Sequence, residues 1–172
     1  MSFRVWFYNP DKEHTTSYNV INKLVAGLTP PFCHVELQFP DGDACSIVMH
    51  DTVRVRKRSF DEDYYTCVAI QSTPAALKSC KALALSHVNS CTAFGLTADH
   101  TFCSKLVAEL LRDSGVVSAD AFSDGVYISP SALYTLLTNS ARRKPCVSTG
   151  IVPVHFTARI APQQLRVQAR GV

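Results

Sequence analysis

The chain has 172 residues, of which 47% are hydrophobic and 18% charged, a balance that allows a buried core and excludes wholesale disorder. Its length favours a single domain. A net charge of +3 and a pI near 8.5 are mild, whereas a dedicated nucleic-acid-binding domain usually has a pI above about 9.

The first part of the sequence predicts strands and one helix. An aromatic and β-branched run predicts a strand over 3–8, and apolar residues at helical spacing predict a helix over 15–28. Residues 32–39 alternate, which predicts a half-buried strand with one polar face, and a turn over 40–43 leads to a returning strand over 44–49. The two faces of the alternating strand are Cys33, Val35, Leu37 and Phe39 on one side and His34, Glu36 and Gln38 on the other.

The second part of the sequence alternates strand and helix patterns. It predicts strands over 52–59 and 64–70, helices over 74–88, 102–113 and 132–137, and a last strand over 151–160. Gly115 follows the second of these helices in the position where glycine commonly ends one. Together these elements predict an α+β fold with a mostly antiparallel sheet packed against helices.

Cysteine content and the first residues bear on the compartment. The seven cysteines are odd in number and irregularly spaced, which disfavours a secreted disulfide framework. The first residues, MSFRVW, lack the charged start and apolar run of a signal peptide, and no stretch reaches the ~18 apolar residues of a membrane span. We therefore expect a cytoplasmic protein in a reducing compartment, without a transmembrane segment.

Cys103 is the first residue that could carry chemistry. Asp99 and Thr101 are both acceptable N-caps, and either one places the thiol in the first turn of the helix over 102–113. Unpaired backbone N–H groups and the positive end of the helix dipole favour thiolate there, lowering the pKa from about 8.5. The alternative is a small apolar core residue, as free cysteines often are.

His34 is the second such residue, on the polar face of its predicted strand. A histidine in that position is usually solvent-facing and inert. A helix-start cysteine and a strand histidine far apart in sequence nevertheless form the general arrangement in which imidazole takes the proton of a nucleophilic thiol.

Three segments resemble, in the same order, parts of the circularly permuted NlpC-type papain-fold hydrolases. Residues 31–42 (PFCHVELQFPDG) resemble the histidine hairpin of that family, residues 101–115 (TFCSKLVAELLRDSG) its nucleophile helix, and residues 128–133 (ISPSAL) the segment that follows. The group includes YiiX-like bacterial proteins, a poxviral branch and, more distantly, the lecithin:retinol acyltransferases. The family has histidine before cysteine, as His34 precedes Cys103 here.

The resemblance implies a permuted papain-like catalytic domain over 1–140 and a C-terminal extension over 141–172, whose last strand could pack on the same domain. It implies a thiol hydrolase with Cys103 as nucleophile and His34 as base. The activity expected is that of a cysteine peptidase or isopeptidase, deubiquitinase-like enzymes included. The alternatives are a lipid acyl hydrolase or acyltransferase, and an inactive binding protein that keeps the fold.

Substrate and location follow from the same resemblance. It implies a peptide, a ubiquitin-like protein or a lipid acyl group as substrate, and the poxvirus-like branch favours a viral protein in the host-cell cytosol. The backbone N–H of Cys103 is the natural oxyanion donor, because it lies at a helix start. Tyr8 is a possible second donor that only the fold resemblance suggests; on its own it is better interpreted as a packed aromatic.

A third polar residue orients the imidazole in the family, on the strand after the histidine. The matching position falls at or next to Ser46. Glu36 is favoured by chemistry, because a hydroxyl lacks the charge with which a carboxylate stabilises imidazolium. His50 and Asp43 are further alternatives, since the length of the turn decides which side chains share a face with His34.

A metal site can be drawn within the same hairpin, from Cys33, His34, Cys45 and His50. Structural zinc prefers paired ligands such as Cys-x-x-Cys, a spacing that the sequence lacks, and alternation puts Cys33 and His34 on opposite faces. We therefore expect no metal and no other cofactor.

One dense basic run consists of Arg54, Arg56, Lys57 and Arg58, and an acidic run over 61–63 follows it. We interpret the run as a solvated strand face; the alternative is a surface for an acidic partner, a phosphate or an anionic lipid headgroup. Aromatic residues are not interleaved with the basic ones, so stacking on single-stranded nucleic acid has little support, and we expect no nucleic-acid partner.

Overall fold

The protein is α+β, as the sequence predicts, with six strands and three α-helices in the described residues of the computed structural model. The described residues are 1–10, 30–95, 100–121, 128–142 and 151–152. The strands are β1 (Ser2–Tyr8), β2 (His34–Gln38), β3 (Asp43–Ser46), β4 (Arg54–Lys57), β5 (Tyr65–Gln71) and β6 (Ile151–Val152). The helices are α1 (Pro74–Asn89), α2 (Cys103–Asp113) and α3 (Pro130–Arg142).

The strands form one sheet in the order β4-β3-β2-β1-β5-β6, and each neighbouring pair is antiparallel. In the register of β1 with β2, Tyr8 lies opposite His34 and Trp6 lies opposite Glu36. Residues directly opposite each other in an antiparallel pair point to the same face. His34 and Glu36 therefore share their face of the sheet with these two aromatic residues.

β2 has two different neighbours along its length. Its C-terminal end pairs with β3, through Leu37 opposite Cys45 and Gln38 opposite Ala44. Within the described strands this ladder does not reach the N-terminal half of β2, and α2 packs against β2. The N-terminus of α2 therefore lies next to the N-terminal half of β2, a central strand of the sheet.

The other face of the sheet is the core face. Alternate apolar residues of β1 and β2 are completely buried there against the apolar stripe of α2, and α1 and α3 contribute to the same cluster. The main members from α2 are Leu106, Val107, Leu110 and Leu111. Ser114 ends α2, and Gly115 follows with a φ of +71°, a left-handed conformation that favours glycine.

Some predicted boundaries differ from the structure. The strand predicted over 44–49 is shorter, and the helix predicted over 132–137 is longer at both ends, since it begins at Pro130 and ends at Arg142. Of the strand predicted over 151–160, the structure describes the two residues of β6. The helix predicted over 15–28 lies outside the described residues. No helix in the described part of the chain is long and apolar enough to cross a membrane.

The core packing predicts a large difference between two leucines. Leu110 in α2 is 1% exposed, whereas Leu85 in α1 is 42% exposed. We expect Leu110→Ala to lower the free energy of unfolding by about 3 kcal/mol, through lost burial and the cavity left behind. The matched control Leu85→Ala should cost less than about 1 kcal/mol. Urea unfolding followed by circular dichroism measures both, and equal effects would contradict this description of the core.

Candidate active site

Cys103 is the first residue of α2, so the prediction that its thiol lies in the first helical turn is confirmed. The predicted cap is wrong: the N-cap is Phe102, which offers no side-chain hydrogen bond, and Thr101 precedes it. Asp99 lies outside the described residues. The first turn contains no acidic residue, and Leu106 donates its N–H to the Phe102 carbonyl at 2.9 Å. The N–H groups before Leu106 are left facing the helix end, where an anion is stabilised.

The side chains of Cys103 and His34 meet beside the part of β2 that is not paired with β3, and they form a hydrogen bond. The backbone N–H groups of Val35 in β2 and Ser104 in α2 also donate to the sulfur of Cys103. Cys103 is 8% exposed as a residue, and the side chain of His34 is 18% exposed. The two elements thus surround one sulfur atom with an imidazole and two backbone donors.

These neighbours determine the protonation state of Cys103. Burial by itself raises the pKa of the thiol, since it disfavours the charged form. The charge of His34, its hydrogen bond and the N–H groups of Val35 and Ser104 outweigh burial, so the pKa of Cys103 lies below its ordinary value. Other buried thiols lack this compensation: burial raises the pKa of both Cys45 and Cys80 to about 12.

His34 shows the complementary shift. Burial alone lowers the pKa of its imidazole, but the charge and hydrogen bond of Cys103 and the nearby carboxylate of Glu36 outweigh this, raising the pKa to about 10. The imidazolium form therefore exists below that pH and is lost as the pH rises through it. The two shifts run in opposite directions and both favour a thiolate beside an imidazolium, the charge state of an activated cysteine nucleophile.

Glu36 is the residue that the structure brings to the far side of the imidazole. Its side chain is completely buried, and its Oε1 lies 3.4 Å from Nε2 of His34, an ion-pair distance that is long for a hydrogen bond. Because Nε2 faces Glu36, the other ring nitrogen is left for Cys103. The sequence predicts a polar face for this strand, and at Glu36 that face is buried in the protein interior.

Of the other residues considered for the third position, Ser46 lies beside Glu36, whereas Asp43 and His50 lie elsewhere. Continuing the β2–β3 register by one residue sets Ser46, which is buried, opposite Glu36. Asp43 forms ion pairs with Lys57 and Lys81 at the hairpin turn, and His50 is exposed with a φ of 65°. Tyr8, the possible oxyanion donor, lies directly opposite His34 in the β1–β2 register.

Sequence reasoning missed the role of Arg58, which it placed on a solvated strand face. Arg54, Arg56 and Lys57 are exposed, but Arg58 turns inward and its Nη1 lies 2.7 Å from Oε1 of Glu36. The signal that could have found it is Glu36 itself. A carboxylate that is buried on a strand among apolar residues needs a cation beside it to compensate its charge.

The segment 128–133 ties the two halves of the site together. Ser131 Oγ accepts a hydrogen bond from the N–H of Phe32, 3.1 Å away, just before β2. Ser104 Oγ, next to Cys103, donates to the carbonyl oxygen of Ile128 at 2.6 Å. The ring of Phe32 packs against Tyr134 in α3, with centroids 4.8 Å apart. The relative position of His34 and Cys103 is thus fixed through a third element.

No family model, no curated protein and no solved structure matches the chain. Among the described residues, no group of three or more His, Cys, Asp or Glu side chains is placed to hold a metal ion. The function is therefore inferred from the chemistry of the side chains at this site.

The geometry predicts unequal reactivity among the cysteines. At pH 7 we expect iodoacetamide to label Cys103 at least about tenfold faster than the exposed thiol of Cys91, since only a thiolate is alkylated. His34→Ala should abolish this advantage, because the charge and hydrogen bond of His34 are lost and burial then raises the pKa of Cys103 against the N–H groups of Val35 and Ser104 alone. Labelling is read site by site by mass spectrometry. Equal rates at Cys103 in the wild-type protein and in His34→Ala would contradict the described pair.

Proposed function

We propose that the protein is a cysteine-dependent hydrolase, a peptidase or isopeptidase, that works through an acyl-enzyme at Cys103. One observation carries the proposal: the Cys103 thiol at a helix start is hydrogen-bonded to His34, with its pKa lowered and that of the histidine raised. A cysteine nucleophile needs this combination of a thiolate and an adjacent proton donor.

The first half of the reaction forms the acyl-enzyme. The thiolate of Cys103 attacks the carbonyl carbon of the scissile amide, and the new C–S bond places negative charge on the carbonyl oxygen. The backbone N–H of Cys103, at the positive end of α2, supports that oxyanion. His34 then gives its proton to the amide nitrogen, the C–N bond breaks, and an amine leaves.

The second half of the reaction releases the acid. Neutral His34 takes a proton from a water molecule, whose oxygen attacks the thioester carbon. The C–S bond breaks, the carboxylic acid product leaves, and the thiolate of Cys103 is restored beside the imidazolium of His34. Glu36 stabilises the imidazolium through its charge and fixes the ring with Nε2 directed away from the sulfur.

The proposed fold and compartment agree with this chemistry. A permuted papain-like domain would combine a central histidine strand with a later nucleophile helix, and the described α+β structure has β2 before α2 in that order. A reducing compartment such as the cytosol would keep the nucleophile as a thiol, and the six described cysteines form no disulfide.

The activity test uses fluorogenic peptide amides and a ubiquitin derivative with a fluorogenic amide at its C-terminus. We expect Cys103→Ala and His34→Ala each to lower kcat/KM by at least about a thousandfold, because each removes a group that bonds to or exchanges protons with the reacting atoms. Glu36→Gln keeps the shape and loses the charge, so we expect a loss of about ten- to a hundredfold.

The matched control is Cys91→Ala, which removes an exposed thiol and should leave kcat/KM unchanged. Retention of activity in Cys103→Ala would refute the proposed mechanism. Hydrolysis of lipid esters without hydrolysis of either amide probe would refute the peptidase assignment while keeping the nucleophile. A wild-type protein that cleaves no probe, and whose Cys103 is no more reactive than Cys91, would be a binding protein.

A further inference from the structure

Arg58 extends from the end of β4 across the polar face of the sheet to Glu36. Its Nη1 lies 2.7 Å from Oε1 and donates to Oε2 at 3.0 Å, so that one nitrogen contacts both carboxylate oxygens. Oε1 is the same oxygen that faces Nε2 of His34 at 3.4 Å. A single buried oxygen atom is therefore shared between the guanidinium and the imidazole.

The guanidinium of Arg58 is itself held from several sides. Its Nη2 donates to the hydroxyl of Tyr65 at 3.0 Å, and its central carbon lies 5.1 Å from the ring centre of Phe60, a cation–π distance. The backbone carbonyl of Arg58 accepts from Nε2 of Gln38 at 2.8 Å. Phe60 stacks on Trp6 with centroids 4.9 Å apart. The arginine is in place before any substrate binds.

A fully buried carboxylate is costly unless a cation and hydrogen bonds compensate it. Among the described residues, the charged partners of Glu36 are His34 and Arg58, and a further titratable neighbour, Cys45, is a neutral thiol because burial raises its pKa to about 12. Arg58 is thus the permanent cation of the group, since guanidinium stays protonated at all working pH values. Its removal would leave Glu36 to take up a proton or to turn away from the imidazole.

We propose that Arg58 is a positioning residue of the catalytic site, which keeps the Glu36 carboxylate charged and its Oε1 directed at Nε2 of His34. The inference rests on the proposed function, since it assigns the support of the same Cys103–His34 pair. Arg58 acts through Glu36: the charges that shift the pKa of His34 are those of Cys103 and Glu36.

The test is the pH dependence of iodoacetamide labelling at Cys103, read by mass spectrometry. Arg58→Met keeps an apolar stem against Phe60 and loses the charge, and we expect it to raise the apparent pKa of Cys103 by about one unit or more. Arg58→Lys keeps the charge but has no second nitrogen to donate to Tyr65. We expect it to raise the apparent pKa of Cys103 by a smaller amount. Arg56→Met, an exposed neighbour on β4, is the matched control and should leave the pH profile unchanged.

A double variant separates positioning from a general structural effect. In a Glu36→Gln background, Arg58 has no carboxylate to hold, so Arg58→Met should add less than about threefold to the change in labelling rate at pH 7. An equal effect of Arg58→Met with and without the carboxylate would overturn the proposal. Circular dichroism checks folding; should Arg58→Met not fold, Arg58→Lys decides, and an unchanged profile in that variant would overturn the proposal.

The failure of this inference is distinguishable from that of the proposed function. A wild-type protein in which Cys103 titrates no lower than Cys91 would refute both. A wild-type Cys103 that titrates low, with a profile insensitive to Arg58→Met in a folded protein, would refute the role of Arg58 alone. Lowered peptide hydrolysis in Arg58→Lys, together with its shifted profile, would support the assignment.

Discussion

The complete burial of the Glu36 carboxylate is the constraint on which the site depends. A charge removed from water must be compensated inside the protein, and here the compensation comes from Arg58 on one side and the imidazole of His34 on the other. The second contact favours the imidazolium, whose charge in turn favours the thiolate of Cys103. The buried charge of Glu36 thus acts through His34 on the protonation of the Cys103 sulfur, the atom that would attack the substrate.

These contacts are possible because β2 has different neighbours along its length. Pairing with β3 holds its C-terminal end, while its N-terminal half is open to the start of α2. The N–H of Val35 then donates to the sulfur of Cys103, as a strand donates to its neighbour in a sheet. Hydrogen bonds of Ser104 with Ile128 and of Ser131 with Phe32 connect α2 and the start of β2 to the segment 128–133. The polar side chains of His34 and Glu36 and the apolar core therefore lie on opposite faces of β2.

Much of this arrangement could be predicted from the sequence, because local rules apply to it. The period of two around His34 and the helical stripe after Cys103 depend on neighbouring residues alone, and both elements are present. The cap of α2 could not be predicted, since the backbone of Thr101 is hydrogen-bonded to Ala93 and Gly95, contacts that local capping rules do not include. Nor could the inward turn of Arg58, which depends on a tertiary contact with Glu36; a basic run carries no sign of which member meets a buried carboxylate.

The central claim is that Cys103 and His34 form a thiolate–imidazolium pair at neutral pH. Nuclear magnetic resonance of the histidine ring nitrogens tests it most directly, since the nitrogen shifts of imidazolium and neutral imidazole differ, and His34→Gln assigns the signal. We expect the His34 ring to be doubly protonated at pH 7 and to lose its proton only as the pH rises toward about 10. A His34 ring that is neutral at pH 7 would contradict the account.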